Sequence, residues 1–144
     1  MRKVGRSILY SLNKEHILLD EILAPLFKKE EKLFQSLTRA ILAPLTGIKP
    51  ISLILYGSQI DEKRVRPDSD FDILCIIPDK TNVKKFKGEI SLSEAQIERK
   101  FGNRLSLLVV KKSEFLKRKK KRDPLLFEIE EQHRLLFGKH FREI

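Results

Sequence analysis

Apolar and polar positions alternate between two periods along this chain, and the switches between them outline its elements. Ile51-Ser52-Leu53-Ile54-Leu55-Tyr56 is almost wholly aliphatic, begins after Pro50 and stops at Gly57, the signature of a buried strand. Phe71 to Ile77 predicts a second such strand, closed by Pro78, and Leu105-Ser106-Leu107-Leu108-Val109-Val110 a third. Between the first two lies a polar loop, Gln59 to Ser69. Helical stripes recur elsewhere. Ile17, Leu18, Ile22 and Leu26, then Leu33, Phe34, Leu37, Ile41 and Leu42, predict one long helix kinked near Pro25, or two helices, starting from an Asn13 cap and closing at Pro44 and Gly47. A helix is expected from Ser91 or Ser93 to Phe101, with Glu94 completing a capping box for Ser91. Ser113 to Lys121 predicts a short basic helix, and Asp123-Pro124 opens a last one running through Arg134, ahead of Leu135-Leu136-Phe137-Gly138. Val4 to Leu12 leans towards β-structure. The interleaving implies a mixed α/β fold, a small mixed β-sheet flanked by helices, with residues 1–47 as an N-terminal β-hairpin and helical segment and 48–144 as the main domain.

Composition narrows this picture without changing it. The 144 residues, 41% of them apolar, suffice for one compact core plus an appendage. No apolar run approaches the roughly 20 residues of a membrane-spanning helix, so no membrane association is expected. The basic start, Met1 to Arg6, lacks the apolar region of a secretory signal. Cys75 is alone, sits in an apolar run and cannot form an internal disulfide, which points to a reducing cytoplasm. The net charge is +10, and it is unevenly spread: residues 1–50 hold 9 basic and 5 acidic groups, 51–95 hold 7 and 8, and 96–144 hold 14 and 7. Such a balance favours polyanionic partners, while the middle third concentrates its acids near Asp68, Asp70 and Asp72.

Those acids stand at the start of the second strand. Residues i and i+2 of a strand point to one side, so Asp70 and Asp72 face together with Cα atoms about 6–7 Å apart. Two carboxylates that close repel unless a cation lies between them, and Mg²⁺ suits an all-oxygen site completed by waters and phosphate oxygens. Mn²⁺ can substitute, and a two-metal site is open to the same residues. The Gly57-Ser58 turn supplies a phosphate-binding half, because glycine lets the backbone approach closely while N–H groups and the Ser58 hydroxyl donate hydrogen bonds.

Leu55-Tyr56-Gly57-Ser58 followed by Pro67-Asp68-Ser69-Asp70-Phe71-Asp72-Ile73-Leu74 resembles the signature of the DNA polymerase beta-type nucleotidyltransferase superfamily, particularly its minimal prokaryotic members. The resemblance implies the nucleotidyltransferase fold over about residues 51–138. It also implies a reaction in which a hydroxyl of a protein, RNA or small molecule attacks the α-phosphorus of a nucleoside triphosphate and pyrophosphate leaves. By motif position Gly57 and Ser58 would bind the nucleotide, and Asp70 and Asp72 would bind metal and serve catalysis. Minimal members are often the antitoxin half of a pair, which implies a protein partner.

Two departures stand out. Glu62 occupies a position usually held by glycine, with the loop to Asp70 one residue longer. The third carboxylate expected on the next strand is replaced by Ser106, which ligates divalent cations weakly and has no basicity near neutral pH. Asp79 and Glu114 are the nearby acids, and neither lies on that strand. The site is therefore read two ways: as a transferase, or as a catalytically impaired nucleotide-binding regulatory module. Val4 to Asn13 is similar to the wing hairpin of winged helix-turn-helix domains, which would link such a module to DNA binding. Asp68 reads as a turn former and Arg64 and Arg66 as loop cations. The run Lys117 to Arg122 in the basic C-terminal region is a candidate nucleic-acid contact. His16, His133 and His140 lack metal-ligand spacing.

Overall fold

The structure is a computed structural model that describes residues 2–4, 7–9, 16–60 and 69–144. The chain divides into two compact units, one ending at Phe34 and the other running from Gln35 to Ile144.

In the first unit, β1 (Arg2–Val4) and β2 (Ser7–Leu9) pair antiparallel with Arg2 opposite Leu9 and Val4 opposite Ser7. The hairpin thus opens two residues earlier than the β-leaning stretch read from sequence. The Asn13 cap lies outside the described residues. Just before Pro25, where a kink or a break between two helices was expected, the chain forms a π-helical segment, Leu19–Leu23, in which the Ala24 N–H reaches back to the Leu19 carbonyl. Pro25 has no N–H to give and its ring crowds the carbonyl four residues back, so the ladder widens immediately before it. The α-helix α1 (Ala24–Leu42) follows and crosses from the first unit into the second.

The second unit is a four-stranded sheet with helices on both faces. Its order is β5 (Leu105–Lys111), β4 (Phe71–Ile77), β3 (Ser52–Tyr56), β6 (Arg134–Gly138). β3 lies antiparallel to both β4 and β6, with a bulge against β6 between Leu53 and Ile54, while β4 and β5 run parallel and are joined by α2 (Val83–Phe101). One sheet face carries Ile54, Leu74, Ile76 and Val110 against Phe115, Leu126, Ile129 and Phe141, which come from α3 (Lys112–Lys120), α4 (Pro124–Glu131) and a closing 3₁₀ turn. The other carries the buried Leu53, Leu55, Phe71, Ile73, Cys75 and Ile77. Phe71 meets Phe101 of α2 edge-on at 6.1 Å.

The mixed α/β class and the three expected strands are present. The helix expected from Ser91 begins at Val83, because Asn82 caps it by accepting from the Lys85 N–H at 3.1 Å. Ser91 and Ser93 are interior residues, their hydroxyls donating to the Gly88 and Ile90 carbonyls. The last helix stops at Glu131, and Arg134 onward is β6, an edge strand that the sequence reading left unassigned. Among the described residues no helix is long and apolar enough to cross a membrane.

Candidate functional site

The motif residues converge on one edge of the sheet, where β3 ends and β4 and β5 begin. Tyr56 is the register partner of Asp72, and Asp72 is in turn the partner of Ser106. Register partners share a face, so these three side chains form a row on the side covered by α3 and α4. Asp72 is half-buried there, and Asp70, one residue ahead of β4, is exposed.

Gly57 ends β3 and starts a 3₁₀ turn, Gly57–Gln59, in which the Ile60 N–H returns to the Gly57 carbonyl at 3.2 Å. Its φ of +77° is left-handed, and a Cβ built on it would fall 2.7 Å from Asp72 Oδ2. No residue larger than glycine fits between that backbone and that carboxylate without displacing one of them. The turn and the acid are therefore direct neighbours. Ser58 stands next in the turn, half-buried.

Hydrogen bonds fix the start of β4. Gln59 Nε2 and Asn103 Nδ2 both donate to the Ser69 carbonyl, at 2.7 and 2.8 Å, and the Phe71 N–H donates to the Arg104 carbonyl at 2.8 Å. Asp70 is thus carried on a backbone held by the Gly-Ser turn on one side and by the approach to β5 on the other. From α4, Gln132 Nε2 donates to the Ile60 carbonyl at 3.1 Å, tying the helix end to the same turn.

The electrostatics centre on Tyr56. Burial raises its hydroxyl pKa, the Asp72 carboxylate adds to this, Arg118 opposes it and Glu128 adds again. One phenol therefore senses a sheet carboxylate, an α3 guanidinium and an α4 carboxylate together. Arg118 is itself held by Asp123, Nε to Oδ2 at 2.9 Å.

Ser106 sits beside Asp72 as its register partner, at the position where the sequence resemblance leads one to expect a third acid. Neither fallback reaches it. Asp79 follows the far end of β4, about 20 Å of strand away, and accepts from the Ser113 N–H at 2.9 Å to start α3. Glu114 lies on α3, beyond the far end of β5. Among the described residues no three His, Cys, Asp or Glu side chains cluster at metal-binding range. Two carboxylates with water and phosphate oxygens still make an acceptable Mg²⁺ donor set. Asp68, Arg64 and Arg66 lie outside the described residues.

Sequence reasoning gave Tyr56, Arg118 and Glu128 no part in the electrostatics of this site. Tyr56 had a readable signal, since it immediately precedes Gly57 on a strand that must pair near Asp72. Arg118 was hidden inside a basic run, and Glu128 on a helix known only by its cap.

No protein-family model matches the chain, and neither does any curated protein. Among solved structures, a mutant form of the toxin-antitoxin MntA-HpeT is similar at 11% identity, covering 76% of this chain and 77% of that one with a TM-score of 0.46. At that level the reading of the site rests on its own residues and geometry.

Proposed function

We propose that this chain is a Mg²⁺-dependent nucleotidyltransferase that moves a nucleoside monophosphate from a nucleoside triphosphate to a hydroxyl on a protein, RNA or small molecule. The observation that carries the reading is the packing of Gly57 directly against Asp72, which sets the Gly-Ser turn beside the carboxylate row in one place. The Gly57–Gln59 turn and the Ser58 hydroxyl would hold the terminal phosphates. Asp70 and Asp72 would hold Mg²⁺, which when bound neutralises charge building on the α-phosphate and leaving oxygens. The acceptor hydroxyl oxygen forms its bond to the α-phosphorus while its proton passes to solvent water, the bond from that phosphorus to the bridging oxygen breaks, and the electron pair leaves with pyrophosphate. The basic excess of residues 96–144 suits a polyanionic acceptor.

Ser106 in register with Asp72 favours a second reading, a nucleotide-binding regulatory module that does not turn over, working with a DNA-binding segment or a paired toxin-antitoxin type protein. One assay separates the two. The protein is incubated with α-labelled ATP, GTP, CTP or UTP, Mg²⁺ or Mn²⁺ and cell extract, beside an Asp70→Asn/Asp72→Asn variant. Label transferred only by the intact pair supports the transferase; metal-dependent binding with no label transferred supports the module. Absence of both with every nucleotide removes the basis of either.

A further inference from the structure

The α3–α4 turn carries a second concentration of features that, Arg118 apart, the nucleotide site does not use. Residues 111–122 hold eight Lys or Arg and one acid, Glu114. Against this run lies a cavity of about 350 Å³ lined by Lys119, Arg122, Asp123, Leu126, Phe127 and Phe141 among others. That volume is at the small end of the range for ligand pockets, room for one planar group. Its floor is apolar, Leu126 and Phe141, and Phe127 stands at its side 64% exposed. An exposed aromatic ring beside a dense cationic strip is costly as surface and useful as a stacking platform.

The cations are arranged for it. Lys119 Nζ is pinned above the Phe141 ring at 5.0 Å and donates to the Phe141 carbonyl at 3.2 Å, so one positive charge is fixed in the wall. Arg122 lines the pocket in the left-handed region at φ 53°, and Lys120 and Lys121, the two residues before it, are exposed. The two acids of the pocket already have cationic partners. Asp123 pairs with Arg118 and caps α4, and Glu130 lies 3.4 Å from Arg142 Nε.

We propose that this turn binds single-stranded nucleic acid, one base stacking on Phe127 over the Leu126–Phe141 floor while Lys120, Lys121 and Arg122 follow the phosphates. A flat ring for a base and a cationic rim for a backbone are the two parts such a site requires. A duplex keeps its bases stacked within itself and cannot use the ring. The proposal extends the charge argument above and stands apart from turnover at the Tyr56–Asp72 edge.

The test is fluorescence anisotropy with labelled oligouridine, oligothymidine and a duplex of equal length, over a salt series. Both single strands should bind more tightly than the duplex, and a difference between them reports the 2′-hydroxyl together with the thymine methyl. Phe127→Leu, which keeps apolar bulk without the aromatic face, should weaken single-strand binding by about ten-fold, and Phe127→Trp should restore it. Lys120→Ala/Lys121→Ala should flatten the slope of log K against log salt by about 1.4, roughly 0.7 for each phosphate contact on a single strand. Circular dichroism of each variant checks that the fold is retained. Equal binding of duplex and single strand, or no effect of Phe127→Leu, overturns the proposal; the latter is also what a protein-docking role for Phe127 would give. Nucleotide transfer plays no part in the readout, so its absence leaves this test intact.

Discussion

Replacing Ser106 with Asp tests whether the β3–β4–β5 edge is built for a cation. Residue 106 is the parallel register partner of Asp72, on a strand about 4.8 Å away, so the new carboxylate would stand roughly 5 Å from the existing one on the same face. At that separation the repulsion is about 3 kcal/mol with an effective dielectric of 20 and about 0.8 kcal/mol in bulk water. Asp72 is half-buried, which places the cost between these limits, about 1–3 kcal/mol. Without divalent metal, Ser106→Asp should therefore lower the melting temperature by several degrees. Adding Mg²⁺ or Mn²⁺ should recover most of that loss, because a bound cation turns mutual repulsion into shared attraction. Thermal unfolding of both proteins in EDTA and in Mg²⁺ reads this directly. A variant destabilised equally with and without metal would refute the reasoning, since the carboxylates would then not converge on a common point. Recovery together with newly gained label transfer would identify the third acid as the missing element.

Gly57→Ala should cost about 1–2 kcal/mol from the left-handed backbone alone, read by denaturant melts, and should reduce nucleotide binding further because its methyl displaces Asp72 Oδ2. Cys75 is fully buried and burial pushes its thiol pKa far upward, so the native protein should resist thiol reagents until denaturant is added; rapid native labelling in a colorimetric assay would contradict this. Asp79 has a carboxyl pKa below the usual range through the Ser113 backbone N–H and hydroxyl. Its stabilisation is present above the unfolded carboxylate pKa near 4 and is lost as pH falls through the lower folded value, so the acid limb of a stability–pH profile should be shallower in Asp79→Asn.

What the sequence made legible follows from how local each signal is. The central strands β3 and β4 are buried on both faces, so their residues read as continuous apolar runs, and the Gly-Ser and Asp-x-Asp pairs lie at the ends of those runs. The start of α2 was misjudged although Val83, Phe86, Ile90, Ser93 and Ile97 form a helical stripe, because Lys84, Lys85, Lys87 and Gly88 dilute it and Ser91 offers a plausible cap. β6 was missed for a different reason. Leu135-Leu136-Phe137 is too short to choose between strand and helix by periodicity, and its pairing with β3 spans some eighty residues of chain. Glu128 belongs with it: only the packing of Leu126 and Ile129 onto the sheet brings α4 to the face that Tyr56 shares.

The double anchoring of the Ser69 carbonyl by Gln59 and Asn103 has an evolutionary corollary. Whatever joins residue 60 to residue 69 starts from a turn tied down by Gln132 and finishes at a clamped carbonyl, so its length and composition can vary without shifting Asp70 or Asp72. Loop closure grows costlier only slowly with length, so a longer connection adds little cost, whereas a change at Gln59 or Asn103 would loosen the frame that carries Asp70.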